Sequence, residues 1–251
     1  MFKPTSTYRI QFHKDFNFKS FSEIIPYLKK LGIDTIYASP IFEAEEGSMH
    51  GYDIVNPHRV NPEIGTEAEL LAISKKLKSA GISWMQDIVP NHMAFSPKNA
   101  WLMDVLKKGN QSEFASFFDI NISNNQKLMV PFLGDSLEHA IKNGALELVL
   151  VEDEYYLSYG GSNWPLKSSS NQKLNKKESK ELKEERLLME IIDEQHYRLC
   201  NWQETDHNIN YRRFFTVNSL ICLNIQEEEN FKLYHQYIFD LVKKDVFQGL
   251  R

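Results

Sequence analysis

The sequence predicts an α/β protein wound around a parallel sheet. Three observations carry that prediction. Between Thr7 and Val89, short runs rich in β-formers alternate with longer amphipathic runs, the joins between them are short, and the amphipathic runs stop at glycines. Strand, helix, strand, helix, strand in that order forms parallel pairs through right-handed crossovers.

TYRIQF, Thr7 to Phe12, alternates and predicts the first strand. A helix is expected from Ser22 as N-cap, with Pro26 in its first turns. Ile24, Ile25, Leu28 and Leu31 fall at helical spacing and Gly32 ends it. IDTIYASP, Ile33 to Pro40, is the second strand. Thr66 opens the next helix with Glu67 and Glu69 in its first turn; Leu70, Leu71, Ile73 and Leu77 form its apolar face and Gly81 its stop. ISWMQDIV, Ile82 to Val89, is the third strand.

The rhythm then breaks. Ala100 to Phe118 and Leu182 to Glu194 read as helical, and LELVLVEDEYYLSY, Leu146 to Tyr159, reads as a hairpin. KSSSNQKLNKKESK, Lys167 to Lys180, is polar and predicts a mobile loop outside any core. Winding resumes where Phe231, Tyr234, Ile238, Leu241 and Val242 line one face of a helix, and VFQGLR supplies a fourth strand. The expected organisation is residues 1–92 for the first units, 93–229 for a large, mainly helical insertion after the third strand, with its mobile loop near 167–180, and 230–251 for the last helix and strand.

With 251 residues, 42% of them apolar, and a net charge of −5, the chain has globular usage and no basic footprint, so nucleic acid and anionic membrane surfaces are not expected partners. Cys200 and Cys222 match neither a disulfide framework nor a zinc pattern and fit a reducing compartment. No apolar run approaches the roughly 18 residues of a membrane span, and the amino terminus has no apolar leader core, so a cytoplasmic protein is expected. His50, His58 and His92 with Asp53 lack metal-ligand spacing. The sequence calls for no metal and no cofactor.

The chemistry gathers after the second and third strands. QDIVPNH brings Asp87, Asn91 and His92 to the carboxyl end of the third strand, where parallel α/β sheets place their ligand sites. SMHGYDIVNPHRVNPEIGT brings His50, Tyr52 and Asp53 to the same rim. An aromatic face beside polar groups is suited to a sugar ring. The competing reading is plain: Asp87 and Asn91 cap turns, and His92 is a satisfied loop histidine. In the same spirit, Arg212, Arg213, Phe214 and Phe215 are read as packing residues rather than a nucleic-acid platform.

DIVPNH resembles the first signature of the α-amylase family of glycoside hydrolases and transferases, and HGYDIVNPHRVNPEIGT resembles the segment that precedes it there. TYRIQF, YLKKLGIDTIYASP, MVPFLG and NYRRFF narrow the resemblance to the family's trehalose-forming glucanosylmutases. These turn the reducing-end α-1,4 bond of a maltooligosaccharide into an α,α-1,1 bond. The resemblance implies the amino-terminal half of a (β/α)8 TIM barrel and a maltooligosaccharide as substrate. It implies that Tyr52 stacks on the sugar, that His92 bonds its primary hydroxyl, that Asp87 pairs with Arg251, and that Asn91 and Asp53 brace them, with His50 a weaker member.

VFQGLR resembles the start of the second signature, in which the arginine, here Arg251, orients the nucleophilic aspartate that follows. Retaining chemistry needs two carboxyls about 5 to 5.5 Å apart; by the resemblance the nucleophile and the acid/base both lie past Arg251. The chain alone is therefore expected to be inactive. Thr216, Asn224, Asn121 and Ile122 stand where the family carries aspartate, arginine, aspartate and tryptophan. Besides this reading, the sequence allows an α-glucan-binding module without chemistry, or an interaction protein acting through an open sheet edge and the Phe214–Phe215 region. A half barrel would have open edges, so a complementing carboxyl-terminal chain or self-association is a possible partner.

Overall fold

The computed structural model describes residues 3–121, 126–177, 182 and 184–251. The chain divides into two compact units, Met1–Ala94 with Ile225–Arg251, and Phe95–Asn224. The first unit contains β1 (Thr7–Ile10), α1 (Phe18–Lys30), β2 (Thr35–Ala38), β3 (Phe42–Ala44), β4 (Ile54–Val60), α2 (Glu67–Ala80), β5 (Ser83–Gln86), β6 (His92–Ala94), α3 (Glu228–Lys243) and β7 (Gly249–Leu250). Its main sheet has the order β1-β2-β5-β7, and every pair is parallel.

The register sets which side chains share a layer. Arg9, Tyr37, Met85 and Gly249 lie side by side, and so do Ile10, Ala38, Gln86 and Leu250. Because side chains alternate across a strand, Ile10, Ile36, Ala38 and Trp84 share one face and are all buried. There Phe12 meets Phe18 and Phe21 edge-on at 5.0 and 5.4 Å, and Phe247 closes on Trp84 at 5.2 Å. Arg9 and Tyr37 look to the opposite face.

α2 is built as its sequence demands. Thr66 Oγ1 accepts the Glu69 N–H at 3.2 Å and Glu69 Oε2 accepts the Thr66 N–H at 2.8 Å, a reciprocal capping box. Gly81 supplies the left-handed stop at φ +76°. α1 differs from expectation. It starts at Phe18, capped by the Asn17 side chain, because Phe18 and Phe21 belong to the aromatic core. Pro26 therefore lies in the helix interior. It has no N–H to give the Ser22 carbonyl, and Lys76 Nζ of α2 donates to that carbonyl instead at 2.5 Å. In α3, Tyr234, Ile238 and Leu241 are buried as the spacing requires, but Phe231 and Val242 are exposed and His235 is buried in their place.

The second unit is mixed rather than mainly helical. Leu128–Leu133 pairs in parallel with Tyr197–Asn201, and Leu146–Val151, Glu154–Tyr159 and Ser162–Pro165 form an antiparallel sheet. Pro131 ordinarily argues against a strand; here it falls where the ladder is irregular, between the Val130–Leu199 and Leu133–Asn201 pairs. The expected helix from Ala100 ends at Lys108. The stretch expected as a mobile loop is corrected over its described part: Ser168–Leu174 is a helix with Ser170, Asn171 and Leu174 buried. Among the described residues, most of its polar groups find partners on other elements, Asn171 Nδ2 excepted. Ser170 donates to Glu194 at 2.9 Å, Lys173 to Glu190 and Glu194 at 2.6 and 2.9 Å, and Asn171 accepts the Tyr155 N–H at 2.6 Å. The remainder, 178–180, and Ile122 lie outside the described residues.

Candidate functional site

The rim at the carboxyl ends of the parallel strands is assembled entirely within the first unit. Asp87 directly follows β5. Its N–H is held by the Ala38 carbonyl at 3.0 Å, and only 4% of the residue is exposed. A carboxylate so placed needs partners. Tyr52 Oη donates to Asp87 Oδ2 at 2.7 Å, and Arg9 Nη1 donates to the same oxygen at 3.3 Å. Arg9 Nη2 donates to Tyr52 Oη at 2.9 Å, which closes a triangle.

Arg251, expected as the partner of Asp87, stands 3.9 Å from Oδ1 and donates its hydrogen bond to the Tyr37 hydroxyl. The Arg9 and Arg251 guanidinium carbons lie 4.2 and 5.0 Å from the Tyr37 ring centroid, within cation–π range. Burial, and after it the hydrogen bond to Asp87, raises the pKa of Tyr52 and of Tyr37, against the lowering influence of Arg9. Both phenols are therefore neutral at pH 7. For Arg9, burial opposes the charge but is outweighed by Tyr52, Tyr37 and Asp87, so its pKa is raised. Asp87 is an acceptor locked among donors, suited to organising a site and unsuited to acting as a free base.

His92 opens β6 and is 1% exposed. Its Nε2 lies 3.1 Å from the Tyr52 carbonyl oxygen and its Nδ1 2.9 Å from Asn91 Oδ1. Two oxygen partners would suit an imidazolium, yet burial holds the ring below its ordinary value. A neutral ring carries one N–H and can donate to only one of these two oxygens. His92 thus ties down the backbone of Tyr52, and a sugar hydroxyl would have to displace one of these contacts. Gly51 sits at φ +73°, where an added Cβ would come within 2.9 Å of the Pro40 carbonyl oxygen, so the approach to Tyr52 requires glycine.

Asp53 accepts the Ser48 hydroxyl at 2.5 Å and lies 3.6 Å from His50 Nδ1. The His50 ring tilts beside Tyr52 at 5.9 Å. The structure thus brings Tyr52, Asp53, Asp87, Asn91, His92 and Arg251 to one rim, with His50 at its exposed margin. Sequence reasoning passed over Arg9 and Tyr37. Their signal was a charged residue and an aromatic within the first two strands, but only the register sets them side by side.

Among the described residues, no group of three or more His, Cys, Asp or Glu side chains is placed to hold a metal ion, and no helix is long and apolar enough to cross a membrane. Cys200 and Cys222 are buried and free, and burial pushes the Cys200 thiol up to about 11.

Fold and site together define a parallel α/β domain with a polar, aromatic rim at its strand ends. The chain matches the model of the alpha amylase catalytic domain over residues 17–193 and belongs to the α-amylase family. Its parallel sheet is accordingly part of a TIM barrel. It is 31% identical, over 100% of its own length and 31% of the relative's, to a protein named as a maltooligosyl trehalose synthase in Mycobacterium tuberculosis. The structure of maltooligosyltrehalose synthase from Arthrobacter ramosus superposes with a TM-score of 0.84 at 35% identity, covering 99% of this chain and 31% of that one. Alpha-amylase 2 of Dictyoglomus thermophilum is 37% identical over 41% of this chain and 17% of its own. The chain thus spans about a third of the length of the trehalose synthases it matches.

Proposed function

We propose that these 251 residues are the amino-terminal portion of a glucanosylmutase that converts the terminal α-1,4 bond of a maltooligosaccharide into an α,α-1,1 bond, an intramolecular transfer leading to trehalose. The observation that carries this reading is the reach of the likeness. Similarity to the trehalose synthases runs through both units, while the likeness to the alpha-amylase covers 41% of the chain. The rim supports it chemically, with a phenol ring, Tyr52, held rigidly beside donors that can meet sugar hydroxyls.

In this reading Tyr52 stacks on the sugar, and His92 with Asn91 fixes its backbone next to the primary hydroxyl. Asp53 and His50 brace the approach loop, and Asp87 organises the arginines. Arg251 orients the nucleophile that the family places just after it. The attacking and protonating carboxylates belong to later strands, so these residues bind glucan and form no trehalose by themselves; a polypeptide supplying those strands completes the site. Free, buried Cys200 and Cys222 suit a reducing, cytoplasmic setting. Calorimetry with maltopentaose tests the binding half: wild type binds and Tyr52→Ala does not. Equal binding by both would overturn the assignment of Tyr52.

A second reading rests on Phe215, which is 79% exposed at φ +51° on a hairpin tip. A strained, exposed aromatic of this kind suits a protein-docking surface. Self-association that is indifferent to maltopentaose and lost in Phe215→Gly would favour it.

A further inference from the structure

We infer that Arg9 is the positioning residue of the rim. Its guanidinium, more than that of Arg251, fixes the Asp87 carboxylate and holds the Tyr52 ring in the pose that meets a sugar. The ligand in this inference rests on the glucan reading above; the geometry does not.

Arg9 lies in register beside Tyr37, so the sheet itself seats its guanidinium over that ring at 4.2 Å. Seated there, two nitrogens of the planar fork are left for two acceptors, Tyr52 Oη at 2.9 Å and Asp87 Oδ2 at 3.3 Å. Tyr52 closes the triangle by donating to the same carboxylate oxygen at 2.7 Å. The three bonds fix the hydroxyl end of Tyr52, while His92 holds its carbonyl. Arg251 is placed differently. It follows the end of β7 and makes no hydrogen bond to Asp87 within its 3.9 Å approach. The two arginines divide the work: Arg9 neutralises and orders Asp87, and Arg251 bonds the Tyr37 hydroxyl. A lysine could keep the charge at position 9 but could not bridge two acceptors while stacked on a ring.

The test uses the 251-residue chain labelled at the tyrosine ζ-carbon, with Arg9→Met, Arg9→Lys, and Tyr52→Phe to assign the Tyr52 signal. Affinity for maltopentaose and the ionisation of Tyr52 without sugar are both measured. Arg9→Met is expected to weaken binding about tenfold, as loss of charge-assisted bonds implies. It should also drive the Tyr52 pKa further up, because the charge of Arg9 and the bond it donates both favour the phenolate. Arg9→Lys should fall between wild type and Arg9→Met on both scales, and it supplies both readouts if Arg9→Met does not fold. An unchanged affinity together with an unmoved Tyr52 ionisation would overturn the assignment. Absence of maltopentaose binding in wild type would overturn the glucan reading, and the sugar-free Tyr52 titration would still decide the role of Arg9.

Discussion

Tyr52 shows how much of the rim depends on one side chain doing two things. Its ring offers a face to a sugar, and its hydroxyl is both donor to Asp87 and acceptor from Arg9. The two roles separate by substitution. Tyr52→Phe keeps the ring but frees its hydroxyl end, so it should lower stability by about 1 to 2 kcal/mol, the cost of leaving a buried acceptor short of a donor, and weaken maltopentaose binding about tenfold, as Arg9→Met does. Tyr52→Ala should abolish binding. Chemical denaturation and calorimetry on the two variants separate the roles; equal loss of binding in both would place the hydroxyl rather than the ring at the sugar.

His92 gives a pH dependence whose sign can be worked out. It, His196 and His235 are all held below the ordinary 6.5, by burial first in each case. The unfolded chain then takes the proton more readily than the folded one, so stability is complete above about pH 6.5 and falls as pH drops below it toward the depressed folded values. Denaturant midpoints measured at about pH 7.5 and pH 5.5 should show the loss, and His92→Gln should make it smaller. A midpoint that rises on acidification would contradict the account.

Among the elements, α1 and α2 illustrate a bond made necessary by a proline. Pro26 frees the Ser22 carbonyl and Lys76 of α2 occupies it. Lys76→Met should cost about 1 kcal/mol in wild type and markedly less beside Pro26→Ala, where the new N–H can reach that carbonyl. A double-mutant cycle by chemical denaturation measures the coupling, and additive losses would refute it. Thr66→Ala should cost about 1 kcal/mol through the lost cap.

α2 was legible because its signals are local: cap, acidic first turn, apolar face and stop all lie within sixteen residues, Thr66 to Gly81. The start of α1 was not, because Asn17 and Ser22 offer the same capping chemistry and the choice is made by Phe18 and Phe21 packing on Phe12. The Ser168–Leu174 helix was hidden for a related reason, since the residues that satisfy its polar face lie up to twenty-odd positions further along the chain. In the site, Asp87, Asn91, His92 and Tyr52 stand in recognisable motifs, whereas Arg9 and Tyr37 become neighbours only through the pairing of β1 with β2.

At the scale of the whole molecule, the sheet of the first unit belongs to a barrel, and the likeness to the trehalose synthases extends through the second unit as well. Under the proposed function the barrel rim grips the glucan, and the reach of the likeness through the second unit is what favours the trehalose-forming branch. The most direct measurement is product analysis on maltopentaose with three samples: the 251-residue chain alone, the part of a maltooligosyl trehalose synthase that follows its fourth barrel strand alone, and the two co-expressed. The account predicts a trehalose-ended, non-reducing product only from the co-expressed pair. Turnover by the 251-residue chain alone, or new reducing ends in place of the non-reducing product, would contradict it.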